Sequence, residues 1–330
     1  MTQDDRQNGN VKNASLQNAS LPNTCAIAFC CDRNYLPLAL FAIRQLAFHT
    51  PQRNFDFVIA SQEALDIPAW AEPFGIRLHR SGEVPAVGNT ERFGGSPAAL
   101  LRIALAKELG HIYRRILYLD CDIFIEGGDF ARLLTVDIGP HPLAAVRDVP
   151  HLYETGFHAR EYKTAGLPPF QYLNSGLLLI DTQAFEAQEV RTRCWESART
   201  YPQSMFLADQ SLLNLALKGK FAELAPAWNW QSTFRYPLVP MRYPVFMRHF
   251  IGSTKPDRDG EGLFDARFRQ AYADFFRLYF PEKLASLPPP GDPTPMSLGQ
   301  MGRIGVKHLM AQETMAAGLA RFSDPWQVRI

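Results

Sequence analysis

The chain has 330 residues, of which 46% are hydrophobic and 20% are charged, and its formal net charge at pH 7 is +1. This is the composition of a globular protein, and so balanced a charge provides no global field that would attract nucleic acid or another polyanion. No apolar run approaches the ~20 residues that span a bilayer as a helix, and the N-terminus lacks the basic-then-apolar order of a secretion signal.

Strands and helices are predicted to alternate through the first half of the chain. Residues 1–23 are rich in Asn, Gln and Ser, which predicts a disordered leader. Apolar patterns then predict strands at 24–31, 55–60, 76–79 and 115–120, and helices at 36–48 and 96–109. This alternation is typical of an α/β fold with a central, mostly parallel sheet, in which ligands bind beyond the carboxyl ends of the strands.

The second half has a more mixed pattern. Strands are predicted at 143–146, 172–181 and 246–250, helices at 183–200, from 209 onward and at 264–279, a long loop at 151–169 and an irregular aromatic stretch at 226–244. Six prolines between 281 and 295 indicate a linker, and 296–330 is expected to form a helical tail. We therefore expect a single domain over 24–280, followed by this linker and tail.

Asp120 and Asp122 follow the apolar strand predicted at 115–120. Residues two apart in a strand point to the same face, so the two carboxylates would lie close together. Like charges at that distance are unfavourable unless a proton or a cation lies between them, which makes a divalent metal the simplest explanation. Taken alone, however, so short a motif is more often a solvated acidic turn.

Further short motifs accompany this pair between residues 24 and 257. In chain order they are Phe29-Cys-Cys-Asp32-Arg-Asn34-Tyr35, Arg102, Leu117-Tyr-Leu-Asp-Cys-Asp122, Asp148, Leu173-Asn-Ser-Gly-Leu-Leu-Leu-Ile180, Asp209-Gln210 and His249-Phe-Ile-Gly-Ser-Thr-Lys-Pro256. The set resembles glycosyltransferase family 8, which includes bacterial lipopolysaccharide galactosyl- and glucosyltransferases and glycogenin. The resemblance implies a Rossmann-like GT-A fold, a UDP-sugar donor, Mn²⁺ with Mg²⁺ as the alternative, and retention of configuration at the anomeric carbon.

For the metal and pyrophosphate, the resemblance singles out five residues. Asp120, Asp122 and His249 would be the metal ligands, since two carboxylates and an imidazole suit Mn²⁺. Gly252 would allow phosphate to approach the backbone, and Lys255 would supply a positive charge to the same group. In isolation, His249 would more often be a histidine at the edge of the core, and Lys255 would more often be a solvated loop lysine.

For the nucleoside, the resemblance points to Asp32, Asn34 and Tyr35 as the turn that holds uridine. Asp32 would accept the base N–H and Tyr35 would stack on the ring. Ordinary turn chemistry after a strand explains the same residues equally well. Arg102 is expected to contact the donor sugar and neighbouring carboxylates, against the alternative of an arginine on the surface of a helix.

For the donor sugar, the resemblance points to Asp148, Asn174, Asp209 and Gln210, whose carboxylates and amides pair with hydroxyl groups. An N-cap of the following helix is the alternative for Asp209. Gln210 matches the residue beneath the anomeric carbon, and an amide is a poor nucleophile, so a front-face displacement is preferred to a covalent intermediate. One departure is Ser211, where relatives often carry an acidic residue.

The expected activity is transfer of glucose or galactose from a UDP-sugar to a saccharide or glycolipid acceptor in lipopolysaccharide or other surface-polysaccharide synthesis. The alternative is a non-catalytic scaffold of the same fold that binds nucleotide-sugars. A nucleotidyltransferase is disfavoured because no Gly-rich phosphate loop follows the first strand.

The chain has five cysteines, an odd number, and no Cys-x-x-Cys pair, which indicates the reducing cytoplasm. The tail would pack on the domain or in a homodimer, or contact the inner membrane, and its low basic density favours packing.

Overall fold

The computed structural model describes residues 24–85, 97–231, 239, 243–259, 262–285 and 297–330. The predicted leader lies outside these ranges, as do residues 286–295 of the predicted linker and residue 296 of the predicted tail. The first part of that linker, Pro281–Ala285, forms a short helix, with proline in the first turn where its missing N–H costs no hydrogen bond.

The described strands belong to two sheets. In chain order they are β1 (Cys25–Cys30), β2 (Asp56–Ser61), β3 (Arg77–Arg80), β4 (Arg115–Leu119), β5 (Ile123–Ile125), β6 (Leu143–Arg147), β7 (Leu173–Asp181), β8 (Ala222–Glu223), β9 (Trp230–Gln231) and β10 (Met247–His249). The central sheet has the order β3-β2-β1-β4-β7-β6-β8, and the second sheet has the order β5-β10-β9. In the central sheet only β7 is antiparallel to its neighbours, which confirms the predicted α/β class with a mostly parallel sheet.

The helices cover both faces and one edge of the central sheet. They are α1 (Leu36–His49), α2 (Leu105–Leu109), α3 (Phe130–Leu133), α4 (Pro150–Tyr153), α5 (Arg160–Thr164), α6 (Thr182–Ala187), α7 (Val190–Thr200), α8 (Asp209–Leu217), α9 (Ala266–Tyr279), α10 (Pro281–Ala285) and α11 (Leu298–Ala320). The loop predicted at 151–169 instead contains most of α4 and all of α5. α4 packs against α11, and α5 buries Glu161 and Tyr162, contacts that local periodicity does not show.

Two predicted helices are divided in the structure. The helix predicted at 183–200 is α6 followed by α7, because Glu189 between them has a left-handed φ of 52° that interrupts the helical path. The helix predicted at 96–109 is a 3₁₀-helix, Pro97–Ile103, followed by α2. The 3₁₀-helix contains Arg102, a residue whose side chain is buried in the candidate site.

Alternate side chains of the central strands pack into two separate hydrophobic cores. In β1, Ile27 and Phe29 contribute to one core and Ala28 to the other. In β4, Leu117 contributes to the first core and Tyr118 to the second. Burial of both faces is what a parallel sheet covered by helices requires, and it explains why these strands are continuous apolar runs.

The reversed direction of β7 positions the site. Because β7 runs opposite to β4, its first residues lie at the carboxyl end of β4, where Leu119 pairs with Leu177. The N–H of Asp120 donates to the carbonyl of Gly176 at 3.0 Å. The Asn174-Ser-Gly176 segment is therefore brought directly beside the Asp120–Asp122 pair.

The C-terminal residues pack on this domain. Ala311 and Met315 of α11 are buried against Trp230, and Trp228 donates its indole N–H to the carbonyl of Pro325 at 2.7 Å. Arg321 forms an ion pair with buried Glu223. The second half of the helical tail is thus part of the folded unit, as the low basic density favoured. None of the helices within the described ranges has the length and apolarity needed to cross a membrane.

Candidate functional site

Asp120, Asp122 and His249 form a cluster at the carboxyl edge of the central sheet. Their possible ligand atoms all lie within 4.8 Å of one another. His249 Nε2 is 3.3 Å from Asp120 Oδ2 and 3.4 Å from Asp122 Oδ1. The antiparallel pairing of β10 with β5 places His249 opposite Ile123, next to the pair. The histidine is buried, whereas the side chains of the two aspartates are 20% and 19% exposed, so the cluster opens to solvent on its carboxylate side.

Both carboxylates are held ionised. Burial would raise the pKa of Asp120, but the charge of Arg102 and the hydrogen bond from His249 lower it below its ordinary value. Burial acts in the same direction on Asp122, and His249 and Lys255 lower the pKa of that carboxyl well below its usual range. For His249, burial would lower the pKa, but the hydrogen bonds to both aspartates prevail and raise it to about 9.

The residues of this cluster fit a divalent metal. Two carboxylates and one imidazole are the donor set expected for Mn²⁺ or a similar cation. Gly176 lies directly against the histidine ring. A Cβ added to this glycine would lie 2.2 Å from His249 Cε1 and 3.0 Å from Asp120 Oδ2. A side chain at position 176 would therefore displace one of the candidate metal ligands.

Lys255 pairs with Asp122 Oδ2 instead of being solvated, so the alternative of a solvated loop lysine is wrong.

Arg102 joins this cluster to the next group of polar residues. Its Nη2 lies 2.9 Å from Asp120 Oδ1, and its Nη1 lies 3.1 Å from Asp209 Oδ2 and donates to the carbonyl of Ser175 at 2.9 Å. The guanidinium also stacks 4.3 Å from the ring centroid of Tyr118. Arg102 is buried, so the surface-arginine alternative is wrong, and its contact with carboxylates is as predicted.

Asp148, Asn174, Asp209 and Gln210 form a second polar group, which Arg102 contacts through Asp209. Asn174 Nδ2 donates to Asp148 Oδ1 at 3.1 Å and to Gln210 Oε1 at 3.2 Å. The backbone N–H of Ser175 also donates to Gln210 Oε1, at 3.1 Å, which orients the amide because a backbone N–H only donates. Burial raises the pKa of Asp148 to about 6 and raises that of Asp209 as well, although Arg102 opposes the latter shift.

Asp209 is the first residue of α8 and is not its N-cap, which is Ala208. Ala208 has a left-handed φ of 43°, an unusual conformation for a residue with a side chain. The turn is held by Ser211, whose hydroxyl accepts from the N–H of Leu207 at 2.8 Å and donates to Glu161 Oε1 at 2.9 Å. Buried Glu161 of α5 thereby supplies, from another segment, the acidic group that Ser211 lacks.

The Asp32–Tyr35 turn follows β1 at the same edge of the sheet. Asp32 Oδ1 accepts hydrogen bonds from the N–H groups of Asn34 and Tyr35, both at 3.0 Å. This local turn begins α1 and is compatible with either prediction for these residues.

Gly252 has a φ of 89°, and a Cβ added there would meet no atom within 4 Å, so the backbone conformation explains why this residue is a glycine. Its approach to phosphate stays a prediction.

Sequence reasoning missed Asn229, Gly176 as a contact of His249, and Glu161. Asn229 lies in the stretch predicted as irregular, and its Oδ1 is 3.1 Å from His249 Nδ1. The signal that was available is its position between Trp228 and Trp230, since an amide flanked by large buried rings requires hydrogen-bond partners. Glu161 had no such signal, because its partner Ser211 is 50 residues away.

Comparison with known proteins gives a consistent result. A family model described as glycosyl transferase family 8 matches residues 26–259. General stress protein A of Bacillus subtilis (strain 168) is 30% identical over 160 residues, which cover 43% of this chain and 52% of that protein. Lipopolysaccharide 1,2-glucosyltransferase of Escherichia coli (strain K12) is 24% identical over 249 residues, or 70% of this chain and 72% of that protein. The chain thus spans only about half of the first of these relatives.

Solved structures agree on the fold. The crystal structure of galactosyltransferase LgtC in complex with donor and acceptor sugar analogs superposes with a TM-score of 0.58 at 20% identity, covering 84% of this chain and 99% of that one. The glycosyltransferase GlyE of Streptococcus pneumoniae TIGR4 superposes with a TM-score of 0.54 at 19% identity, covering 79% and 62%. These neighbours show that the predicted GT-A type of α/β fold is present.

Proposed function

Because this chain belongs to glycosyl transferase family 8, we propose that it transfers a hexose, glucose or galactose, from a UDP-sugar to a saccharide or glycolipid acceptor with retention of configuration. The observation that carries the proposal is the unbroken set of contacts from His249 and Asp122 through Asp120 and Arg102 to Asp209. It connects a site fit for a cation with a pocket of buried carboxylates and amides.

The two halves of the site have different tasks in this proposal. When bound, a divalent cation, with Mn²⁺ preferred over Mg²⁺, neutralises charge on the departing nucleoside diphosphate. Asp120, Asp122 and His249 hold that cation, and Lys255 adds a positive charge beside Asp122. Gly252 lies in the same loop as Lys255 and lets the pyrophosphate approach the backbone. Asp32, Asn34 and Tyr35 hold the uridine.

The chain's own residues orient the sugar. Asn174 donates to both Asp148 and Gln210, and in this proposal it orients these two side chains toward the hydroxyl groups of the hexose. Arg102 holds Asp209 in place by an ion pair. Gln210 lies beneath the anomeric carbon in this proposal, and since an amide is a poor nucleophile, the acceptor hydroxyl attacks from the leaving-group side and its proton passes to the leaving phosphate oxygen. A glycosyl adduct trapped on Gln210 or Asp209 would contradict this route.

The place of action and the acceptor are also proposals. All five cysteines are free and four of them are buried, in keeping with a reducing cytoplasm. Leu298, Leu309 and Met310 of α11 are exposed and offer contact to a membrane surface or to a second copy. The similarity to Lipopolysaccharide 1,2-glucosyltransferase supports a saccharide of the cell surface as the acceptor.

A donor panel tests the proposed reaction. UDP release would be measured with UDP-glucose and UDP-galactose in the presence of Mn²⁺, Mg²⁺ or EDTA. We expect release with one of the two sugars, and we expect EDTA to abolish it. Equal rates with EDTA would refute the metal site. Tight Mn²⁺-dependent binding of both donors without any turnover would favour the non-catalytic scaffold.

A further inference from the structure

The two ring nitrogens of His249 have different partners. Nε2 faces Asp120 and Asp122, at 3.3 Å and 3.4 Å. Nδ1 faces Asn229 Oδ1, at 3.1 Å. His249 and Asn229 are both buried, with exposed fractions of 5% and 1%. Water therefore does not compete for Nδ1, and the amide of Asn229 decides which of the two nitrogens keeps a proton when the ring is neutral.

A backbone group determines how that amide is oriented. The N–H of Gly176 donates to Asn174 Oδ1 at 3.0 Å, and since a backbone N–H only donates, this atom of Asn174 must be the oxygen. Asn229 Nδ2 donates to the same oxygen at 2.9 Å. The oxygen of Asn229 is then the atom that faces His249, where it accepts the Nδ1–H. The lone pair of Nε2 is left for a cation.

We propose that Asn229 is a positioning residue for the candidate metal centre: it keeps the proton of neutral His249 on Nδ1 and presents Nε2 to the cation. Asn174 extends the same hydrogen-bond chain to Asp148 and Gln210, so two amides, Asn229 and Asn174, connect the histidine to the sugar pocket. The inference rests on the proposed metal site. Partners that orient a histidine ligand in this way commonly contribute about 10–100-fold to metal affinity.

Calorimetric titration with Mn²⁺ alone tests the hydrogen-bond acceptor. Asn229→Leu keeps the branched shape but removes the acceptor, and Asn229→Asp keeps the volume and the acceptor. The matched control is Gln231→Leu, which removes a second buried amide, in β9, whose side chain bonds to the backbone of Val149 and Arg147, with a longer 3.5 Å contact to the carbonyl of Asn229, and not to His249. Circular dichroism and a thermal melt establish which variants fold.

We expect Asn229→Leu to raise the Kd for Mn²⁺ by about 10–100-fold, Asn229→Asp to recover most of that loss, and Gln231→Leu to leave the Kd unchanged. An unchanged Kd in folded Asn229→Leu overturns the inference. Equal losses in the Leu and Asp variants, or the same loss in Gln231→Leu, also overturn it, because they show that packing alone is disturbed.

Nuclear magnetic resonance of the imidazole nitrogens gives a readout that is independent of folding defects in the variants. His249 signals are assigned by comparison with His249→Gln, and spectra are recorded with diamagnetic Mg²⁺. Wild type is expected to carry its proton on Nδ1. A proton on Nε2 of neutral wild-type His249 overturns the inference even if no variant folds.

The same spectrum separates this inference from the proposed metal site. If wild type binds no Mn²⁺, the metal proposal fails. The tautomer is then read without metal from the neutral ring, which is reached by raising the pH until the imidazole signals stop shifting. The Nδ1–H form under those conditions supports the positioning role by itself.

Discussion

The aspartate–histidine cluster and the Asp32–Tyr35 turn lie at the same edge of the sheet but are built in opposite ways. The cluster and its partners come from well-separated segments, with Arg102, Asp120, Asp209 and His249 held by buried ion pairs. The turn comes from one continuous segment, in which Asp32 bonds to the N–H groups of its near neighbours. A substitution in the cluster is therefore expected to disturb the other residues that share its ion pairs. A substitution in the turn is expected to disturb only its near neighbours.

The largest expected effect comes from removing a carboxylate of the cluster. Asp120→Asn removes the charge that binds both Arg102 and His249 and one of the proposed metal ligands. We expect Mn²⁺-dependent UDP release to fall by at least about 10³-fold, comparable to or larger than the loss of one electrostatic stabiliser in other enzymes. Activity equal to wild type, in Asp120→Asn or in Asp122→Asn, would show that the metal assignment is wrong.

Truncation of Arg102 tests how far the damage spreads. Arg102→Ala leaves Asp120 and Asp209 without their shared cation, and breaking a buried ion pair from one side costs roughly 3–5 kcal/mol. We expect urea unfolding to show a loss of that order. Arg102→Lys should recover only part of it, because an ammonium lacks the two-pronged geometry that reaches both carboxylates. Full recovery by lysine would show that charge alone matters.

Gly176→Ala tests the close packing of the histidine. The added Cβ would lie 2.2 Å from His249 Cε1, so the ring has to move away from the aspartates. We expect Mn²⁺ affinity to fall by about 10–100-fold. Gly127→Ala is the matched control, since a Cβ there meets no atom within 4 Å and its φ is not left-handed. Equal effects of the two substitutions on Mn²⁺ affinity would refute the steric argument.

The titration of Asp148 gives a pH-dependent prediction. Burial raises the pKa of this carboxyl to about 6 from 3.8, so the native state holds its proton more tightly than the unfolded chain. The contribution of Asp148 to stability is therefore present below pH 3.8 and is lost as the pH rises through about 6. We expect Asp148→Asn to gain stability relative to wild type between acid and neutral pH, measured by urea unfolding. A constant difference over that range would contradict the raised pKa.

The smallest effect is expected in the turn. Asp32→Asn keeps an oxygen that can accept the same two backbone hydrogen bonds, since asparagine also forms such turns. Stability and Mn²⁺ affinity should stay unchanged, while UDP affinity should fall by about tenfold if the carboxylate accepts the base N–H, because hydrogen bonds to charged groups contribute about 1.5–3 kcal/mol. Unchanged UDP affinity would mean that Asp32 serves only the turn.

Prediction from sequence succeeded where the signal is local. The continuous apolar runs of β1 and β4 indicated buried strands of a mostly parallel sheet, because both faces of such a strand are covered. It failed for α4 and α5, two short helices whose packing partners lie in distant segments: α4 packs against α11, and Glu161 of α5 bonds to Ser211. It also failed at Glu189, because a left-handed φ at a residue other than glycine has no sequence signature.

The sequence by itself determined the α/β class and predicted most residues of the candidate site, since these depend on local patterns and on short spacings. Only the tertiary structure decided how those residues meet. The antiparallel direction of β7 carries Asn174 and Gly176 to Asp120, and β10 carries His249 to the same point. Asn229 and Glu161 acquire their partners in the same way. Contacts between distant segments depend on strand order and direction, which no local spacing encodes.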